Sequence, residues 1–291
     1  MTRWDVVVVG AGPAGAATAL LLARSGARVL LLDRARFPRD KPCSEYLSPG
    51  ATRVLERLGG GVLAAVAAAA PARLAGMKIV APSGASVVGR FEQSSYALPR
   101  TRLDLILRQA AERAGAEVRE GVKVEDLLHD RGAVGGVVAT TAAGSAEPYR
   151  ARIVVGADGL RSVVARRLRL VRRSLPRRVA FSAHVADARD VRDLGEMHVG
   201  RHGYVGLGPI GDGLTTVALV VPAADAARGR RFFAELDAFP GLAGRFDPAR
   251  LVRPVLATGP FAQWSRRPAA RGVALVGDAA AFFDPFTGQG I

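Results

Sequence analysis

The chain has 291 residues, 49% of them hydrophobic, and a formal net charge of +15 from 41 Lys and Arg against 26 Asp and Glu. That length and apolar content suit one large domain or two modest ones with a sizeable core, and exclude a disordered or fibrous chain. Cys43 is the only cysteine, which excludes an intrachain disulfide and a cysteine-based zinc cluster, and the apolar run from Gly61 is broken by Pro71 and Arg73 too soon to span a bilayer.

The N-terminus runs straight into a strand without a signal-peptide pattern, so a reducing cytoplasm is the expected compartment. Residues 5–9 read as a buried strand, 13–25 as an Ala- and Leu-rich helix stopped by Gly26, and 27–32 as a second strand closing on Asp33. This is a βαβ unit, and a parallel sheet follows from it. Residues 34–50, polar and rich in proline, predict a long ordered loop, and 52–58 a short helix. Strands are expected at 77–80 and 86–91, an amphipathic helix at 102–114, and further strands at 117–119, 135–140 and 152–155. Between 179 and 221, strands alternate with glycine turns, the pattern of an antiparallel meander. A helix at 232–239 and a strand at 273–276 that returns to the first sheet complete the expected α/β architecture.

The densest basic run, Arg161 to Arg178, reads as a solvated helical face. Neither a nucleic-acid motif nor interleaved stacking aromatics accompany it, so no nucleic-acid partner is expected. Peripheral membrane contact stays open, and the oligomeric state is not readable.

Gly10-Ala11-Gly12-Pro13-Ala14-Gly15 has the GxGxxG pattern between a strand and a helix, with Asp33 about twenty residues on. The first glycine allows the tight turn, the second lets a pyrophosphate approach the backbone, and the third lets helix and strand pack closely. Free N–H groups at the helix start then face the phosphates. Two later stretches, "RIVVGADGLRS" from Arg152 and "GVALVGDAAAFFDPFTGQGI" from Gly272, are also apolar strands feeding a glycine and aspartate turn.

Together these three stretches resemble the fingerprints of the FAD-dependent monooxygenase and reductase superfamily with the para-hydroxybenzoate hydroxylase fold. The resemblance implies a Rossmann-like FAD-binding domain of the GR2 type (residues 1–75, 98–172 and 259–291) interleaved with an antiparallel-sheet substrate domain (76–97 and 173–258). It assigns Gly10, Gly12, Pro13, Ala14, Gly15 and Asp33 to the ADP part of FAD, with Arg34 near the adenosine and Arg100 at the cofactor. Asp158 would lie by the pyrophosphate and help receive NAD(P)H, a transient reductant because no second GxGxxG is present. Gly277 and Asp278 would hold the ribityl chain, and Pro285, Gly288, Gln289 and Gly290 the isoalloxazine ring. A helix starting at Gly290 would place its positive end against the charge of reduced flavin, so the family pattern implies that the chain continues past Ile291.

"KPCSEYLSPGA", from Lys41, and "DPFTGQGI" look closest to the geranylgeranyl reductase-like branch, with Ser44 where glycine is usual. Cys43 is therefore a candidate on the substrate face of the flavin, with a buried structural thiol as the alternative. The branch's Tyr-x-Trp-x-Phe-Pro motif reads here as Tyr204-Val205-Gly206-Leu207-Gly208-Pro209. Two glycines in place of aromatics widen the space that would grip an isoprenoid chain. They also argue against the Trp-x-Trp-x-Ile-Pro stretch of flavin halogenases.

Tyr204 is the preferred catalytic candidate in the substrate sheet, ahead of His184, His198, Arg201 and His202. The expected function is that of an NAD(P)H-dependent FAD monooxygenase acting on a lipophilic or aromatic small molecule. Reduction of a carbon–carbon double bond is the alternative, and FAD binding without redox turnover a second one.

Overall fold

The computed structural model describes residues 3–141 and 143–291. Its first sheet is built around Trp4–Val9, which pairs in parallel with Val29–Asp33 on one side and Ala146–Gly156 on the other. Glu117–Glu120 and Val273–Leu275 extend it in parallel at the two flanks. The apolar run of the Trp4–Val9 strand is buried on both faces, as a strand covered on both sides must be. Helices Pro13–Arg24 and Arg100–Arg113 cover one face. On the other side a hairpin of Lys123–Asp130 and Ala133–Thr140 pairs antiparallel with the first half of Ala146–Gly156.

The second sheet is the expected meander in an enlarged form. Leu251–Thr258, Arg178–Ala186, Leu214–Pro222, Gly203–Gly211 and Leu194–Gly200 lie side by side, all antiparallel. Leu194–Gly200 then pairs in parallel with Ala72–Val80, followed by Ser86–Ala97 and the short strand Tyr46–Leu47. Period-two alternation splits its residues between two faces. Ala183, Val185, Val205, Val217, Leu219 and Val221 pack against helix Phe232–Asp237, while the opposite face looks toward the first sheet. A third, small sheet joins Val171–Arg173, Gln263–Ser265 and Ala281–Phe282.

Several local readings are corrected by the structure. The loop before the first short helix ends sooner than expected: Ser48 Oγ accepts from Ala51 N and Pro49 takes the first helical position, so the helix is Pro49–Leu58. Part of the alanine tract is the helix Val62–Ala68, and the following strand starts at Ala72 because it pairs with Ser86–Ala97 along its length. The basic run is helical only over Val163–Arg167, and Arg172 and Arg173 lie on a strand. The closing residues form one 3-10 turn, Pro285–Thr287, and residues 288–291 carry no regular structure.

One buried ion cluster fixes the edge of the meander. Arg245 donates from Nη1 and Nη2 to Glu196 Oε2 and Oε1 at 2.9 and 2.7 Å, and from Nε and Nη2 to the carbonyls of Arg189 and Asp190. His198 bridges Glu196 Oε2 and the Pro240 carbonyl at 2.9 and 2.8 Å. Burial works to raise the Glu196 carboxyl, but the Arg245 and His198 hydrogen bonds outweigh it and hold its pKa down to about 2. A depressed folded pKa gives stability that is present above the unfolded value near 4.5 and is lost as pH falls toward 2. Glu196→Gln should therefore cost about 3 kcal/mol at neutral pH, because Arg245 is left unpaired. It should also flatten the acid limb of thermal melts followed by circular dichroism between pH 5 and 2. A wild-type-like acid limb in the variant would refute the assignment.

Candidate functional site

The ends of adjacent parallel strands meet at one hollow, where a doubly wound sheet binds its ligand. The Trp4–Val9 strand runs into Gly10, Ala146–Gly156 into Ala157-Asp158, and Val273–Leu275 into Gly277-Asp278. These corners touch through backbone. A Cβ on Gly10 (φ +100°) would lie 2.5 Å from Ala157 O, and one on Gly15 would lie 1.8 Å from Gly10 O. One on Gly277 (φ +58°) would meet Ala14 Cβ at 2.7 Å. The three corners expected from sequence are thus brought together.

Gly12 differs from the other two glycines of its loop. It caps helix Pro13–Arg24 without a side-chain bond, and a Cβ there would meet no backbone, only Arg39 Nη2 at 3.6 Å and Arg100 Nη2 at 3.9 Å. Both guanidiniums are held by Asp104, which is fully buried. Arg100 donates from Nε and Nη2 to Asp104 Oδ1 and Oδ2 at 2.7 Å each, and Arg39 Nη2 lies 3.0 Å from Oδ2. Arg39 Nη1 remains buried without a hydrogen-bond partner.

The acids follow the same logic. Asp33 is buried, with Oδ2 accepting from Ala11 N at 2.7 Å and Oδ1 from Ala35 N at 2.8 Å. A carboxylate has about four acceptor positions, so each oxygen keeps room for a ribose hydroxyl. Asp158 Oδ2 accepts from Val163 N at 2.6 Å, while its Oδ1 is buried and unpartnered. Burial pushes the Asp158 carboxyl up, against the lowering effect of Ser162 and Val163 N. Burial also raises Asp278, opposed by Lys41 and Arg100, and it lowers Lys41, which Arg39 and Arg100 push in the same direction.

These features fit a dinucleotide. The open Gly12 cradle, the uncapped helix start and the orphaned Arg39 Nη1 supply donors and space for a diphosphate bridge, and the spare Asp158 oxygen can accept from a hydroxyl or an N–H beside it. Arg34 stands apart, exposed beyond Asp33, and Gln289 is also exposed. Sequence reasoning passed over Arg39, Lys41 and Asp104. The i, i+4 spacing of Arg100 and Asp104 on one helix was the signal available.

Past the hollow the cleft widens between the meander and the closing segment, enclosing about 1320 Å³ with open solvent included. Its meander wall is made of small residues, among them Ala180, Ser182, Gly195, Gly206, Gly208 and Ala218. Two methionines use part of that room: Met197 Cε lies 3.5 Å from where a Gly206 Cβ would be, and Met77 Sδ 2.4 Å from a Cβ on Gly195. Cys43, Asp278, Pro285, Gly288 and Gly290 line the opposite side.

Below Cys43 lies a second buried charge cluster. Glu45 (φ +60°) has Oε2 2.5 Å from His184 Nε2 and Oε1 3.4 Å from Arg253 Nη1, and its backbone N donates to Cys43 Sγ at 3.2 Å. His184 is therefore a support of the Cys43 loop, turned away from the cavity wall. Tyr204 lines the cavity, but its hydroxyl donates to Asp284 Oδ1 at 2.6 Å. Burial, followed by that carboxylate, pushes the phenol far above its ordinary range, so it is a poor acid. Arg178 Nη1 meets the other Asp284 oxygen at 2.7 Å, and Phe286 packs edge-on against the tyrosine ring. Tyr204, a catalytic candidate from its motif position, anchors the closing loop through Asp284.

The arrangement defines a dinucleotide-binding α/β protein in which a Rossmann hollow opens onto a largely apolar cavity. A family model described as an FAD binding domain matches residues 3–291. The chain belongs to that family; it is an FAD-dependent oxidoreductase, and FAD is its cofactor. In sequence it is similar to a menaquinone reductase of Mycolicibacterium smegmatis, 34% identical over all of this chain and 73% of that protein. It is also similar to a digeranylgeranylglycerophospholipid reductase of Methanothrix thermoacetophila, 32% identical over 99% of this chain and 74% of the relative. Among solved structures, the myxobacterial chondrochloren halogenase CndH superposes with a TM-score of 0.88 at 25% identity, covering 100% of this chain and 71% of its own. PqsL of Pseudomonas aeruginosa, solved with 2-aminobenzoylacetate, gives a TM-score of 0.80 at 26% identity over 99% and 82%.

The cradle makes two tests. Arg39→Ala leaves the Arg100–Asp104 pair in place and should weaken FAD binding by about tenfold to a hundredfold, the worth of a charge-assisted hydrogen bond. Flavin fluorescence titration of the apoprotein measures this, and unchanged affinity would refute the cradle. In the closing loop, Tyr204→Phe should weaken FAD only a few-fold, since Arg178 and Phe286 N still hold Asp284. Asp284→Ala releases the whole loop and should cost at least about tenfold. Equal effects in the two variants would count against the anchoring role.

Proposed function

We propose that this FAD-dependent oxidoreductase reduces a carbon–carbon double bond in the isoprenoid part of a lipophilic substrate. The observation that carries the reading is the Cys43 thiol, the one proton-bearing sulfur on the wall of an otherwise largely apolar cavity. Menaquinone and a geranylgeranyl lipid, named for two of the relatives, have an unsaturated isoprenoid chain in common. The small-residue wall and its two methionines suit a flexible branched hydrocarbon, because thioether side chains repack at little cost.

FAD, when bound along the hollow, supplies the two electrons of the reduction. The chain's own residues do the rest. Burial first, then Glu45, pushes the Cys43 thiol up, so Sγ carries its proton at neutral pH and can deliver it to the alkene carbon that needs one. Arg100 pulls the other way on that thiol, which stabilises the thiolate left behind until water from the cleft returns a proton. Glu45 N fixes the position of the sulfur. Asp33, Arg39, Arg100, Asp158 and Asp278 would hold the cofactor, Gly288 and Gly290 its ring end, and NAD(P)H would act as a transient reductant.

A second reading, NAD(P)H- and oxygen-dependent hydroxylation, draws support from the likeness to PqsL and from the room left by Gly206 and Gly208. Anaerobic incubation of the chemically reduced holoprotein with a geranylgeranyl lipid separates the two. The expected product is heavier by one hydrogen molecule per double bond, and Cys43→Ala should slow its formation by about a hundredfold with flavin reduction unaltered. Steady oxygen uptake with oxygen inserted into the lipid, and no anaerobic saturation, would instead establish the hydroxylase.

A further inference from the structure

The small third sheet has two unlike faces. Strand pairing places Arg172 opposite Trp264 and Trp264 opposite Ala281, so these three share one face, while Arg173, Gln263 and Phe282 share the other. Phe282 lines the cavity from inside. The outer face meets solvent: Trp264 is 42% exposed, Phe283 61%, and Leu175, at the turn after the first strand, 77%. Arg172, Arg177, Arg266 and Arg267 stand around these large apolar side chains, and Arg173, on the other face at the end of its strand, is exposed as well. Among the described residues none of the five has a carboxylate within 4.0 Å, whereas their neighbours Arg167 and Arg178 pair with Asp126 and Asp284 at 3.4 and 2.7 Å.

We propose that this face docks on an anionic lipid bilayer. Unpaired guanidiniums alone would suit any polyanion, but here charge and apolar bulk alternate. Leu175 sits between Arg173 and Arg177, and Trp264 stands across from Arg172 and two residues before Arg266. A soluble anion gains nothing from a leucine, a tryptophan and a phenylalanine held in water. A bilayer surface satisfies both groups, taking the apolar side chains into the acyl boundary and the arginines at the phosphates. The net charge of +15 adds long-range attraction to the same surface.

The position is consistent with such a role. Phe286 both lines the cavity and is 39% exposed, so it marks a mouth, and Phe282, on the small sheet itself, lines the same cavity. A lipophilic molecule could then pass between bilayer and cavity without crossing water. Among the described residues no helix is long and apolar enough to cross a membrane.

The test is co-sedimentation of the full chain, loaded with FAD, with vesicles of phosphatidylglycerol and phosphatidylcholine or of phosphatidylcholine alone. Binding should favour the anionic vesicles and weaken as salt rises. The triple variant Arg172→Glu, Arg173→Glu, Arg177→Glu should lose partitioning on the order of a hundredfold, at about fivefold for each arginine removed. The pair Leu175→Ser and Trp264→Ser should lose at least about tenfold. In a Trp4→Phe background, Trp264 fluorescence should shift to the blue on binding. Equal binding to both vesicle types, or unchanged partitioning in both variants, would overturn the proposal. So would an arginine variant that binds vesicles normally but needs more NAD(P)H, since the arginines would then serve a soluble dinucleotide. Turnover of detergent-dispersed substrate is read separately, so loss of the docking proposal and loss of the reductase reading remain distinguishable.

Discussion

The rest of the molecule depends on a contact that only residues without a side chain permit. Gly15 sits against the Gly10 carbonyl, and Gly10 sits against the backbone of Ala157 and Asp158, so a methyl group at either place would overlap main-chain atoms outright. Because those atoms belong to strand ends that cannot shift independently, the contact sets the separation of the loops that follow Trp4–Val9 and Ala146–Gly156. Gly277 repeats the arrangement from the far end of the sequence by resting on Ala14. Segments about 150 and 260 residues from the first loop are thereby locked into one surface. The unsatisfied donors of the helix start and the acids after each strand face the same hollow as a result.

Electrostatics then explains why the hollow takes an anion. Arg39, Arg100 and Lys41 converge near the Gly12 cradle, and Asp104 neutralises the guanidiniums only in part, since Arg39 Nη1 has no partner at all. The lowering of Lys41 by burial and by both arginines reports the same surplus of positive charge. In an interior of low dielectric such a surplus is costly unless an anion resides there. A diphosphate bridge removes the cost, and the gain on neutralisation becomes binding energy. Asp104 sets the direction of that gain, for it fixes two flexible side chains in advance and spares the ligand the entropy of ordering them.

What sequence revealed, and what it concealed, divides along range. The three glycine corners, the parallel strands and the meander were legible because each is written locally, in apolar runs and glycine turns. The full length of Ala72–Val80 was not, since its first half lies in an alanine-rich tract and becomes a strand by pairing with residues 95–97. The hairpin strand Lys123–Asp130 was hidden in the same way by its polar, partly exposed sequence. Glu45, His184 and Arg253 are far apart in the chain and form one buried cluster, for which a linear pattern offers no signal. Tyr204 shows the opposite limit: its place in a motif put it correctly at the cavity wall, but its chemistry is set by Asp284, eighty residues away.

The same distinction bears on catalysis. The Tyr204 hydroxyl donates to Asp284 and holds a loop, whereas Cys43 Sγ accepts from Glu45 N and keeps its own proton for the proposed step. The proposed reduction draws on that thiol and on the largely apolar wall around it. Reduction of an isolated alkene asks for little more than this. It needs a hydride source, one proton on the opposite side, and enough adaptable apolar surface to hold a chain that offers no polar handle. Hydroxylation would ask in addition for polar contacts that select one carbon of a ring. Of the hydroxyls on that wall, Thr216 donates to Cys43 O at 3.5 Å, while Ser182 accepts from Arg253 Nη2 and keeps its own proton. The place of the one thiol in that wall, more than the size of the cavity, is what supports the proposed reduction.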